Sequence, residues 1–272
     1  MLGDGMKSIL IAVALLQGAA VPDPAPLTPS GNWTVDYGDA DCVLSRDFGI
    51  GKARTTLGFS PSPFGDSVEV VTMTAGAKFE YRKSKARLTL QPSGFTMDSD
   101  AYIYGLKDKA MTVTTFTAVG PAATHWRTST GVALEPAAGP RATIAVPDMA
   151  KAFGALNTCQ ADLVKSWGVD PAELDKTTVL AVPVAPEGWF SNDDYPSEAL
   201  QNGQTGTSVI IWSIDTRGRI SDCKVVKSSG APSLDRASCQ AVLRRGRYEP
   251  ALGIDGKPVP THAMRKVIWR MP

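Results

Sequence analysis

The stretch from residue 195 to residue 269 constrains the fold more than any other part of this chain. Tyr195-Pro196 is followed by Gly203 and Gly206, and an apolar run then leads to Asp215-Thr216-Arg217-Gly218-Arg219. Ser228-Ser229-Gly230, Leu234-Asp235, Arg244-Arg245-Gly246-Arg247-Tyr248-Glu249-Pro250 and Gly256-Lys257-Pro258-Val259-Pro260 complete the series. Residues 207–215 alternate as a strand does, and the turn at 215–218 supplies Gly218 for a positive φ. Arg219 to Lys227 returns as the second strand of a hairpin. Ser233 is expected to cap a helix beginning at Leu234, with Ala237, Ala241 and Val242 on its apolar face. Pro250 and Gly253 mark a loop, and Val259 to Trp269 forms a last strand. A strand–strand–helix–strand module buries one sheet face under its helix and is expected to leave the other face and at least one edge available.

This order and spacing resembles the C-terminal domain of TonB, which links the inner membrane of Gram-negative bacteria to outer-membrane transporters. The resemblance implies an envelope compartment, a ββαβ fold and binding of a short extended receptor segment by strand addition, in which an unpaired edge offers its N–H and C=O groups. By the same resemblance the docking surface is the last strand, with Val259, His262, Met264, Lys266 and Ile268, and Tyr195 and Pro196 nearby. Tyr195-Pro196 has an equally good reading as packing where the domain begins, and Gly203, Gly206 and Gly218 read as turn geometry. Two departures thin the usual core: Gly246 stands where the family commonly has an aromatic, and Ser208 where it has an inward valine. A full TonB also carries an uncleaved N-terminal helix with a serine and a histidine, then a long spacer. Here Ser8 has no histidine near it, the two histidines being His125 and His262.

The N-terminus reads as an export signal. Lys7 precedes the apolar run Ser8–Leu16, and Gly18-Ala19-Ala20 suits signal peptidase, so cleavage is expected after Ala20. The run falls short of the roughly 20 residues that span a bilayer. The expected location is the periplasm, with a retained inner-membrane anchor as the alternative. Residues 21–30 form a proline-rich leader.

From Trp33 the chain is β-rich. Trp33–Tyr37, Cys42–Arg46, Thr55–Phe59, Val68–Met73, Lys78–Arg82, Arg87–Leu90 and Met111–Phe116 are short, β-branched or aromatic, and separated by turn residues. That rhythm suggests a sandwich or a partly open barrel. Asp148 is placed to cap a helix through Phe153, Leu156, Cys159 and Leu163 that ends near Trp167-Gly168. Thr177–Val182 reads as the last strand of this domain, and 183–194 as a short hinge reaching at most about 40 Å. The expected fold class is therefore α+β: a mostly-β domain with one packed helix over 31–182, then a small ββαβ domain over 195–272.

Four cysteines in an exported chain favour two disulfides. Domain membership pairs Cys223 with Cys239 and Cys42 with Cys159, the latter across more than 110 residues. The alternative for Cys42 and Cys159 is two buried free thiols.

A net charge of +1 gives no general drive toward nucleic acid. The one dense basic spot, Arg244-Arg245-Arg247, reads as the solvated end of a helix. No Gly-x-Ser-x-Gly, His-Glu-x-x-His, Cys-x-x-Cys or P-loop pattern is present, so no cofactor, metal site or catalytic residue is expected. The expectation is a non-enzymatic exported adaptor whose C-terminal domain engages outer-membrane receptor peptides or another envelope protein. A homodimer through the exposed edge is compatible with it. The alternatives are an anchored TonB-type energy transducer and an enzyme housed in the upstream domain.

Overall fold

The computed structural model describes residues 25–76, 81–106, 110–120, 125–136 and 141–271. The expected signal segment 1–20, leader residues 21–24, and Lys78, Phe79 and Glu80 of one expected strand lie outside these residues.

Nine strands form the upstream sheet: β1 (Thr34–Tyr37), β2 (Cys42–Phe48), β3 (Thr55–Pro61), β4 (Val68–Ala75), β5 (Arg82–Gln91), β6 (Phe95–Leu106), β7 (Met111–Ala118), β8 (Gly131–Pro136) and β9 (Ala142–Ala145). Their order is β1-β2-β3-β4-β7-β6-β5-β8-β9, every neighbour antiparallel. The segment Leu27–Ser30 bridges β9 at one end of this sheet to the far end of β2, the second strand from the other end. Leu27 N donates to Thr143 O at 2.7 Å and Ala145 N to Leu27 O at 3.0 Å, while Ser30 N donates to Asp47 O at 2.9 Å and Gly49 N to Thr28 O at 2.8 Å. A sheet bridged back on itself in this way closes into a barrel, with β1 left as a strand paired on one side among the described residues. Of the two architectures the strand rhythm suggested, the barrel is the one adopted.

Alternation sends Leu57 and Phe59 of β3, Leu88 and Leu90 of β5, and Phe116 and Ala118 of β7 inward, all buried. Helix α1 (Met149–Ser166) closes one end of the barrel. Its Phe153 ring lies 5.5 Å from Phe59, which in turn lies 4.6 Å from Trp126. The disulfide Cys42–Cys159 ties β2 to this helix. Asp148 precedes the helix as expected, but it sits in left-handed backbone (φ 64) and its side chain makes no cap bond. Trp167-Gly168 ends the helix as expected, with Gly168 at φ +85.

Beyond the short helix α2 (Pro171–Leu174), the chain departs from expectation. Thr177–Val182 does not extend the upstream sheet. It forms β10 (Thr177–Val179) and β11 (Val182–Pro183), which pair with segments downstream. Helix α3 (Ser197–Gln201), the hairpin β12 (Gly206–Ile214) and β13 (Ile220–Lys227), and helix α4 (Pro232–Arg245) follow. Then come β14 (Tyr248–Glu249), β15 (Ala251–Gly253), β16 (Pro258–Val259) and β17 (Thr261–Trp269). Strand β10 pairs with β15 and β11 with β14, so the connector is stapled to the C-terminal module rather than hinged above it.

The main C-terminal sheet runs β13-β12-β17. Ile210, Trp212 and Ile214 of β12 pack under α4 with Leu234, Ala237 and Val242. Val209 and Ile211 point the other way and join the barrel's own core, with Val226 and Met264 beside them. The second face, expected to be open, is covered by the upstream domain. The physical sign was local: Val209-Ile210-Ile211-Trp212 is apolar on both alternating faces, the pattern of a strand buried on both sides.

Candidate functional site: the outer edge of β17

Strand β12 fills the middle of the sheet and pairs along β17 from Gly206↔Trp269 to Ile214↔Thr261. Among the described residues β17 has no strand on its other side, so alternate N–H and C=O groups face outward there. Its side chains divide between two neighbours. Ala263, Val267 and Trp269 face the helix, where Trp269 Nε1 donates to Ser238 Oγ at 3.0 Å. His262, Met264 and Lys266 face the barrel. His262 stacks on Phe64 with centroids 5.7 Å apart, Met264 packs on the shared core, and Lys266 Nζ lies 3.8 Å from Asp41 and 3.9 Å from Glu69. Burial pushes the His262 imidazole below its ordinary pKa, and its buried Nδ1 has no hydrogen-bond partner.

Of the sequence candidates, His262, Met264, Lys266 and Ile268 share β17, and Ile268 is 60% exposed. The side chains of the first three are engaged within the chain, so what they present outward is backbone. Val259 is not on this strand. It belongs to β16 opposite Ala251, because Pro260 lacks an N–H and interrupts the ladder. Tyr195 packs edge-on against Trp269 at 5.3 Å and donates its hydroxyl to Gln204 O, while Pro196 caps α3. These contacts are packing within the domain.

A cleft of about 410 Å³ lies at the Thr261 end of the edge. The Ser62–Ser67 loop, Leu180, Pro183 and Tyr248 enclose it together with His262 and Met264. It is large enough to take a side chain from a segment laid along β17.

Sequence reasoning missed the polar clamps behind the edge. Asp194 accepts from Arg245 and, at 2.7 Å, from Arg244, so two of the three clustered arginines hold the start of the domain rather than solvate a helix end. Burial would raise the Asp194 pKa, but the Ser191 amide and both guanidiniums outweigh it and hold it low. The Ser191-x-x-Asp194 capping box was the sequence signal for this turn. Helix α4 begins one residue before Ser233, at Pro232, with Ala231 at the N-cap and no side-chain cap; proline suits the first helical position. The Ser233 hydroxyl instead meets Gln204 Oε1 at 3.4 Å.

Ser208 is buried and is matched by Asp235. Its hydroxyl donates to Asp235 Oδ1 at 2.7 Å, and Ser229 N donates to the same oxygen at 2.8 Å. Ser228 donates to Oδ2 at 2.5 Å. Burial pulls the Asp235 pKa up, and these hydrogen bonds overcome it to hold the pKa below the ordinary value. The folded carboxyl therefore titrates below the unfolded one, at about 3.9. Its stabilisation is complete above that value and is lost as pH falls through the lower, folded one. Asp235→Asn is expected to cost about 2 kcal/mol at neutral pH and to flatten the acid limb of stability. Urea unfolding of both proteins at neutral pH and near pH 3 checks this, and an unchanged acid limb would refute it.

Two glycines are fixed by space as well as by φ. A Cβ on Gly218 (φ +73) would sit 1.7 Å from Tyr248 O, and one on Gly206 (φ +159) 2.2 Å from Ser229 O. At Gly246 a Cβ would meet Val242 O at 2.6 Å as well as Ile220 Cδ1 at 2.2 Å, so even a small side chain is excluded there. The second disulfide, Cys223–Cys239, joins β13 to α4 as expected.

Fold and edge together define an α+β protein in which a helix-plugged barrel is fused to a ββαβ strand-edge module. Residues 191–271 match the family model described as Gram-negative bacterial TonB protein C-terminal, and they form a TonB C-terminal domain. That family is a non-enzymatic, transport-associated envelope domain that generally interacts with outer-membrane receptors. No curated protein matches the chain. Among the described residues no helix is long and apolar enough to cross a membrane.

Proposed function

We propose that the protein is an exported periplasmic adaptor that engages extended segments of outer-membrane receptors, or of another envelope partner, along the outer edge of β17. The unpaired edge carries this reading: central β12 is covered on both faces, and of the sheet's two edges β17 is the one whose pairing with β12 runs without a register shift. Backbone pairing would supply affinity, and the cleft beside His262 would select a side chain. The connector supports an adaptor over a transducer, since β10 and β11 hold residues 177–183 against the module and leave no long spacer.

Two measurements test this. Titrating the protein with synthetic peptides from the periplasmic N-termini of outer-membrane transporters should slow hydrogen exchange at alternate β17 amides. Binding without protection on β17, or no binding, would overturn the reading. N-terminal sequencing of the protein from a periplasmic fraction should begin near Val21; recovery with the inner membrane and residues 1–20 intact would favour the anchored transducer instead.

A further inference from the structure

The barrel end opposite α1 is not filled. A cavity of about 400 Å³ opens there, within the size range of small-molecule sites. Strand register fixes the location. Thr55 pairs with Thr74, Ala75 with Met111 and Arg82 with Ile103 at this end, whereas Pro61–Val68 and Val68–Ala118 mark the end facing the C-terminal module.

The lining is graded with depth. Phe116, Leu134 and Ala86 form an apolar floor. Threonines including Thr72 and Thr114 line the walls, each offering a methyl group as well as a hydroxyl. Lys52, Arg82 and Arg141 stand exposed around the mouth, and Arg141 also reaches Glu135 at 3.2 Å. None of the described residues that line the cavity carries a carboxylate.

We infer that this barrel binds a single-chain amphiphile, with its apolar tail on the floor at Phe116 and its anionic head at the Lys52–Arg82–Arg141 rim. Burying the tail supplies the drive, since apolar surface leaving water is favourable in proportion to its area. The rim selects the sign of the head, because cations at a low-dielectric mouth attract an anion and repel an ammonium. A barrel of this strand number has room inside for side chains or for one small ligand.

The test is calorimetric titration of the purified protein with three probes sharing one tail: dodecanoate, dodecanol and dodecyltrimethylammonium. Saturable binding of one dodecanoate per chain is expected, with the ammonium weaker than the alcohol. Ala86→Phe, which places a ring on the floor, should abolish binding of all three. Lys52→Glu should weaken dodecanoate by roughly threefold to tenfold while leaving dodecanol unchanged, the effect expected of an exposed charge reversed. No saturable dodecanoate binding, or binding unaltered in a folded Ala86→Phe variant, overturns the inference. Ammonium binding as tight as dodecanoate overturns the assignment of the head group. Should Ala86→Phe fail to fold, Thr114→Leu narrows the same cavity from β7 and is held to the same outcome. Peptide binding at β17 is independent of every arm.

Discussion

Replacing Cys42 and Cys159 together by alanine is expected to lower the stability of the barrel by about 4–5 kcal/mol. The bond joins β2 to α1 across a separation of 117 residues, so the unfolded chain loses a large closed loop when it is removed. Both cysteines are fully buried, and the alanines leave no polar group unpaired. Helix α1 also plugs the barrel through Phe153 and Leu156, and its docking becomes reversible once the covalent tie is gone. The matching change at Cys223 and Cys239, separated by 16 residues, is expected to cost less, about 3 kcal/mol. Guanidinium unfolding of both double variants, compared at equal m, checks the order. A Cys42/Cys159 loss smaller than the Cys223/Cys239 loss would refute the ordering by loop length.

Ile211→Asp is expected to cost about 3–5 kcal/mol, the penalty of a buried charge without a partner. Ile211 is 2% exposed and lies where the C-terminal sheet meets the barrel core. Beyond the loss of stability, the variant should split one unfolding transition into two. The barrel keeps its own interior and disulfide, while the module loses the apolar contact that couples it. Ile268→Asp on the adjacent strand is the control: at 60% exposure it should change stability by no more than about 0.5 kcal/mol. Scanning calorimetry distinguishes the outcomes, and a single transition shifted by less than the control would sink the idea of a shared core.

The C-terminal domain was legible because its signals are local. The Asp215–Gly218 turn, the apolar face of α4 and the strand to Trp269 each depend on residues close in sequence. Both disulfides followed from assigning cysteines to domains. What sequence could not supply was the pairing of distant partners. Lys266 meets Asp41 and Glu69, and His262 meets Phe64, across more than 190 residues, with no local pattern marking either contact. Barrel closure was hidden for a similar reason: four backbone hydrogen bonds from a proline-rich leader decide it, and backbone bonds leave no trace in residue type. The two-sided burial of β12 was visible in Val209–Trp212, but a single open face was expected instead. The unpaired edge was anticipated from the element order. Which residues would stand free along it was not, since their side chains are consumed by the barrel.

The two margins of the C-terminal sheet are unequal. On the β13 side the register slips between Val209 and Ile210 and again between Ile211 and Ser213, and Asp222 adopts φ 50. Such breaks twist a strand away from further pairing. A unit that grows into a filament needs an acceptor margin and a donor margin, and this sheet offers one regular margin. On the proposed reading, a receptor segment or the β17 of a second copy added at that margin would leave only the irregular β13 margin for any further strand.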